Sequence, residues 1–383
     1  MSYFIVFILL IISIYKFDIR DEIRFKKVYF YCILILLIAI SAFSYRIGSD
    51  TIHYMEEFAE RKMQYEYFII NAERQPGWLL LVSLFKLFPH PYYVFKFFFS
   101  CFVNTVFLQT IKENTKYVFS AILMYFIFIY FTINFEILRE ALAVAFFLLS
   151  LKFLYKRNFI TYYMLLFCSI MFHVSALCLL FVPLFYLMPQ KRIFFYGLLL
   201  FIMLGILFDE QLRFLIYHIF YVDIFSEKAL YYFEKENFGM TKKNIGIINY
   251  FLNLFLPIFM LSCANKQNKL PKYWLCVCAY CIIYGVSIVL PIFFRFNNYF
   301  NIFYIFIFID FISGVNFKKR LSLNSMRLIF VIGLTLFVSF KLKTHFSLID
   351  GKNPSYVRYY PYSSIFDKTR NTKREQVFRY LNN

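Results

Sequence analysis

Charge is scarce in this chain: only 16% of its 383 residues are charged. A water-soluble domain carries about 25% charged residues, so an ordinary soluble globule is excluded. Glycine and proline number ten each and tryptophan two, which rules out collagen-like and Gly/Pro-rich low-complexity segments. No Gly-rich phosphate loop, internal repeat, DxD motif or Asp/His cluster with metal-ligand spacing occurs, so neither a P-loop nor a metal-held nucleotide sugar is expected. Cysteine is present, eight in all, but every one lies in an apolar segment. That placement excludes a disulfide framework or zinc ribbon. Cys276, Cys278 and Cys281 have a metal-like spacing, yet free cysteine in such surroundings behaves as a small hydrophobe.

Hydrophobic residues make up 61% of the chain, and its mean hydropathy is +0.63. No single water-soluble core accommodates that much apolar surface, so lipid must serve as solvent. Apolar runs recur at 28–45, 92–111, 117–135, 245–263, 273–292, 298–314 and 326–342, most near the length that crosses ~30 Å as a helix. Lipid cannot satisfy exposed backbone, so the expected fold is an all-α, polytopic membrane bundle. Residues 1–15 have neither a positive leader nor a small-residue cleavage site and are read as the first helix. The aromatics, 56 Phe and 33 Tyr, are spread along every segment and mark no ligand box.

The net charge of +19 is informative through its distribution. Short basic loops stay cytoplasmic. Residues 16–27, Lys112 with Lys116, Lys156 with Arg157, Lys191 with Arg192, Lys266 with Lys269 and Lys272, and Lys318 to Arg320 all face inward if the chain crosses about twelve times. Nucleic acid is not an expected partner. This arrangement places two stretches outside, 46–91 and 209–244. The first contains a short apolar piece, 77–90, read as re-entrant or interfacial. The second contains an amphipathic segment, 213–235. Residues 159–188 must form two short crossings that turn near His173. The reading is one transmembrane domain, 1–342, and a tail, 343–383, which falls outside against the positive-inside tendency.

Ionisable groups in or beside a bilayer are costly and mark candidate sites. Glu136, Arg139 and Glu140 in NFEILREALA share a helix face by their i, i+3, i+4 spacing, as an intrahelical ion pair or as a site. His173 and Ser175 sit in the apolar MFHVSA run, where a satisfied core histidine is the alternative. Arg295 interrupts PIFFRFNNYF with no acid nearby in sequence, which favours an anionic ligand. YRIGSDTIHY places Arg46 and Asp50 around Gly48, a residue that permits a sharp turn, with Asp50 and Tyr54 on one face of a short helix capped by Ser49 or Asp50. RQPGW sets Arg74 before a Pro-Gly turn. In the arrangement derived from the basic loops alone, all of these fall near the external face. Arginines form bidentate bonds to phosphate, and His or Asp takes a proton from a hydroxyl.

The order RxGxD with Tyr54, the turn at Pro76 to Trp78, N-x-x-x-R-E-A-L-A over Asn134 to Ala143, FHVSA over Phe172 to Ala176, and R-F-x-x-Y-F over Arg295 to Phe300 resembles the EpsG family. Those proteins are Wzy-like polymerases of polysaccharide repeat units. The resemblance runs from about residue 30 to 310 and is most specific around Arg139 and His173. The family commonly has an acid where this chain has Arg74 and Gln75, and Gln where it has Glu140. What the resemblance implies is a GT-C-like glycosyltransferase of the bacterial inner membrane, with no cofactor and no metal, acting on undecaprenyl-diphosphate-linked oligosaccharides at the outer face. A chain-length regulator is an implied partner beside membrane lipid. His173, Asp50 and Glu140 are then the candidate catalytic residues. Arg46, Arg139, Arg295, Arg74 and Tyr54 are the candidates for binding diphosphate or sugar. A lipid-linked oligosaccharide flippase, an O-antigen ligase, a membrane O-acetyltransferase and an assembly subunit are the competing readings.

Overall fold

The computed structural model describes residues 2–60, 75–185, 250–266, 270–289, 291–313, 323–349 and 353–382, together with Gly197, Leu200 and Gln211. Apart from Gln211, the expected second external stretch 209–244, with its amphipathic segment, lies outside the described residues, as does Arg74. Every regular element described is helical, and two isolated bridges, Ser44–Ser364 and Leu348–Pro354, join extended chain.

The chain divides into two compact units, Met1–Leu177 with Leu321–Asn383, and Cys178–Arg320. The carboxyl-terminal segment thus belongs to the first unit. Its helices begin with α1 (Ser2–Ser13), prolonged as a π-helix to Ile19, then α2 (Lys26–Ala42), α3 (Thr51–Glu60), α4 (Pro76–Phe85) and α5 (Pro91–Asn114). Next, α6 (Val118–Tyr125) passes through a π-helical turn into α7 (Phe131–Phe135), followed by α8 (Leu138–Tyr155) and α9 (Phe159–Phe172). The second unit holds α10 (Val182–Phe185), α11 (Leu256–Lys266), α12 (Trp274–Val289) and α13 (Asn301–Ile312). The chain then re-enters the first unit as α14 (Leu323–His345) and α15 (Thr372–Asn382).

Among the described residues, three stretches are long and apolar enough to cross a bilayer, Ser2–Ile19, Pro91–Asn114 and Val118–Phe135, and several shorter apolar helices accompany them. The expected first helix and the runs 92–111 and 117–135 coincide with these three. The run 77–90 forms only the short α4. Prolines start α4 and α5 at the first helical position, where the missing N–H costs nothing. Asn158 caps α9 by accepting from the Thr161 N–H at 3.2 Å. Cys276, Cys278 and Cys281 are buried in α12 as free thiols.

The polarity of the first unit is arranged for lipid. Phe4, Ile35, Phe167 and Leu336 stand exposed on its surface, while Ser41, Ser100, Asn104 and Asn134 are buried within it. Ser100 Oγ donates to Ser41 Oγ at 2.7 Å, Asn104 Nδ2 to Asn134 Oδ1 at 2.9 Å, and Tyr125 Oη to Asn104 Oδ1 at 3.1 Å. These bonds tie α2, α5, α6 and α7 together, each worth about 0.6 kcal/mol on average in a membrane. At the start of α6, Asp18 accepts from both the N–H and the hydroxyl of Ser120 at 2.7 Å, capping the helix from another element.

Candidate functional site

Two glycines bring the sequence motifs together. Gly48 has φ +89°, and a Cβ there would stand 2.3 Å from the Phe135 carbonyl oxygen. Only glycine combines that backbone conformation with that approach. Thr51 Oγ1 donates to the same oxygen at 3.0 Å. Gly77 lies as close to α9, since its Cβ would meet the Met171 carbonyl oxygen at 2.7 Å. The RxGxD turn is thus seated on the N-x-x-x-R-E segment, and the Pro-Gly-Trp turn on the end of the helix leading into FHVSA.

The helix carrying Asn134 to Ala143 is broken. α7 ends at Phe135 and α8 starts at Leu138, while the N–H groups of Glu136 and Ile137 both donate to the Thr132 carbonyl, at 3.0 and 3.1 Å. This corrects the reading of Glu136, Arg139 and Glu140 as one helix face, because the break falls between Glu136 and the other two. Such a break frees carbonyls that lipid cannot satisfy. Thr51 takes that of Phe135, and the ammonium of Lys96, fully buried on α5, donates to that of Asn134. Lys96 also lies over the rings of Phe99 and Phe135, at 5.1 and 5.3 Å.

Beyond the break, Arg139 lies near the buried Tyr54 of α3, with Asp50 and Glu57 also close to the phenol. Burial pushes the Tyr54 hydroxyl up to about 12, with Arg139 opposing the shift. Asp50 immediately precedes α3, and its carbonyl accepts from the Tyr54 N–H at 3.1 Å. Trp78 Nε1 donates to Glu57 Oε1 at 3.2 Å, and its ring meets Tyr54 edge-on at 5.5 Å. Glu140 is buried in the first turn of α8, where the helix dipole favours a carboxylate.

His173 ends α9 in extended conformation, φ −153° and ψ 126°, ahead of the 3-10 turn Val174–Phe181. Its Nδ1 lies 2.5 Å from Ser175 Oγ and 3.3 Å from the Ser175 amide nitrogen. The Ser175 N–H can only donate, so Nδ1 is the acceptor of both contacts and in the neutral ring the proton sits on Nε2. Arg295 occupies an exposed position on the 3-10 turn Pro291–Tyr299 of the second unit.

The carboxyl-terminal segment completes this end of the first unit. The Ile365 N–H donates to the Phe43 carbonyl at 2.9 Å, Tyr45 N–H to Ser363 at 2.9 Å, and Gly48 N–H to Arg358 at 3.2 Å. Arg46 is held at φ +50°, and its Nε and Nη2 donate to the two oxygens of Glu375 at 2.7 and 2.8 Å. This bond keeps the Glu375 carboxyl below its usual range. Arg358 Nη1 donates to Glu136 Oε1 at 2.7 Å. Burial nevertheless pushes the Glu136 carboxyl upward, with Arg358 opposing it and Asp50 adding to it. The buried Arg374 donates to the carbonyls of Val357, Arg46 and Pro361. The tail, which the order of crossings places outside against the positive-inside tendency, lies at the same end as Arg46 and Asp50.

Sequence reasoning missed Lys96, Arg358, Arg374 and Glu375. Lys96 carried a usable signal, since it is the one charge in the run 92–111. The tail residues carried none, because their partners are remote in the chain.

No curated protein and no solved structure matches the chain. The profile of the EpsG family matches residues 27–364, a span that includes the two glycine-seated turns, the broken helix, His173 and Arg358. With its apolar helices, this makes the chain an integral membrane protein of polysaccharide biosynthesis that belongs to the EpsG family.

Proposed function

We propose that the protein joins undecaprenyl-diphosphate-linked oligosaccharides into O-antigen, capsule or exopolysaccharide, by glycosyl transfer on the outer face of the inner membrane. In this reading about twelve crossings form a GT-C-like enzyme, and a chain-length regulator is its partner. The observation that carries it is the seating of Gly48 on Phe135 and Gly77 on Met171. These contacts gather a candidate base, carboxylates and arginines from four separate motifs at one end of the first unit.

The reaction transfers a growing glycan from its lipid diphosphate to a hydroxyl on the non-reducing sugar of another lipid-linked unit. The His173 imidazole takes the hydroxyl proton as the oxygen forms its bond to the anomeric carbon. The bond from that carbon to the diphosphate oxygen breaks, and undecaprenyl diphosphate leaves. Arg46, Arg139 and Arg74 offset its developing charge. Asp50 and Tyr54 orient the acceptor and Arg46, with Glu140 as the next carboxylate.

The test is the polysaccharide of a deletion strain on a gel. Loss of a polymerase leaves a single capped repeat. Loss of all repeats would instead favour the flippase or ligase reading.

A further inference from the structure

Two arginines described at this end of the first unit are held by carboxylates, Arg46 by Glu375 and Arg358 by Glu136. The engagement of Arg46 differs in kind. Two parallel N–H bonds to two carboxylate oxygens reproduce the fork by which a guanidinium binds phosphate. The pair is also reachable from water, with side chains 20% and 25% exposed.

Glu375 is not what docks the tail. Its neighbour Arg374 is 2% exposed and spans the carbonyls of Val357, Pro361 and Arg46, while Val377 and Phe378 are buried on the same helix. Bridges and backbone bonds at 43–48 hold the segment as well. These contacts position Glu375 whether or not it is ionised. Arg46, meanwhile, is held in a left-handed conformation that non-glycine residues rarely adopt. Both partners are set in place by their surroundings.

We propose that Glu375 is a specificity-determining residue of this site: its carboxylate fills the phosphate-binding fork of Arg46 and yields it only to a diphosphate. The inference rests on the reading of Arg46 as a diphosphate ligand. A bare guanidinium beside a bacterial bilayer faces a large excess of phosphodiester headgroups, each with one negative charge. Such a headgroup carries no more charge than the carboxylate it would replace. A diphosphate carries at least twice as much, so it displaces Glu375 where the headgroup does not. The Glu375 side chain then swings toward water, and the tail stays docked through Arg374.

The experiment uses the full chain in phosphatidylcholine nanodiscs, titrated with inorganic pyrophosphate, and repeats the titration in phosphatidylglycerol-rich nanodiscs. Removing the competing charge with Glu375→Gln is expected to tighten pyrophosphate binding roughly tenfold, the effect of one lost charge-assisted bond. Phosphatidylglycerol should then cancel the gain in Glu375→Gln and leave the wild type unchanged. Glu375→Asp, which keeps the charge, should behave as the wild type toward phosphatidylglycerol. If Glu375→Gln binds pyrophosphate no more tightly than the wild type while its thermal transition is intact, the proposal is overturned. If Arg46→Gln binds pyrophosphate as well as the wild type, the fault lies in the assignment of Arg46 itself.

Discussion

Gly48 sits against Phe135 so closely that a methyl group in place of its hydrogen would stand 2.8 Å from the Phe135 Cβ and 2.3 Å from the carbonyl oxygen. Both obstacles are fixed, one being backbone and the other the root of a side chain. Gly48→Ala therefore forces the RxGxD turn off the broken helix and adds the strain of a positive φ, about 1–3 kcal/mol. The expected outcome is loss of long polysaccharide with the protein still in the membrane. Unchanged chain length in Gly48→Ala would show that the seating of Asp50 on the helix break is dispensable.

His173 and Ser175 make a second, more local test. Removing the base should cost ~10²–10⁴-fold in rate, so His173→Gln should abolish chain extension. Ser175→Ala removes the hydroxyl that hydrogen-bonds Nδ1 and should lower the rate less, while displacing the acid limb of the pH–rate profile. A Ser175→Ala enzyme with an unaltered pH profile would mean that Ser175 merely packs. If His173→Gln retains activity and Asp50→Asn loses it, Asp50 is the base.

Arg358 and Glu136 are expected to respond unequally to removal of the partner. Glu136 is already pushed toward its neutral form by burial, so in Arg358→Gln it takes up a proton and the charge disappears. Glu136→Gln strands a guanidinium that cannot deprotonate. Membrane protein level and melting temperature should therefore fall further in Glu136→Gln than in Arg358→Gln. Equal losses would show that the pair contributes through shape alone.

Acid provides a test of the Arg46–Glu375 pair. The Arg46 bond holds the folded-state carboxyl of Glu375 below the usual carboxylate range. Its contribution to stability is then complete above the unfolded value and lost as pH falls through the folded one. The Glu136 carboxyl is shifted the other way, so its contribution is present in acid and lost as pH rises through the raised value. The difference in melting temperature between wild type and Glu375→Gln should be constant at neutral pH and shrink below about pH 4.5. A difference that does not change with pH would mean that Glu375 acts through packing.

Topology can be tested with reporter fusions. Because Ser44 pairs with Ser364, fusions after residues 60 and 370 must report the same side, and a fusion after 157 the opposite one. Opposite reports at 60 and 370 would contradict the docked tail.

The helical class, the apolar run that forms α5 and the glycine turn at 48 were legible in sequence, because each follows from local pattern or local chemistry. Pro76 and Gly77, expected as a turn, instead open the helix α4. The break at Glu136 was not legible. NFEILREALA contains neither proline nor glycine and reads as a continuous helix, and what permits the break is a lysine on another helix and a threonine 84 positions away. Arg46 was recognisable as a candidate, but its resident partner lies 329 residues further on. Ion pairs of that span leave no trace in periodicity or spacing.

The docking of segment 353–382 also bears on how the protein is made. Residues 43–136, which carry its ion-pair partners, leave the ribosome long before this segment does, so the earlier helices enter the bilayer with Arg46 and Glu136 lacking those partners. The site closes only when Arg358, Arg374 and Glu375 arrive. Maturation is therefore a late event, and a chain stalled short of residue 353 would be inserted yet incomplete.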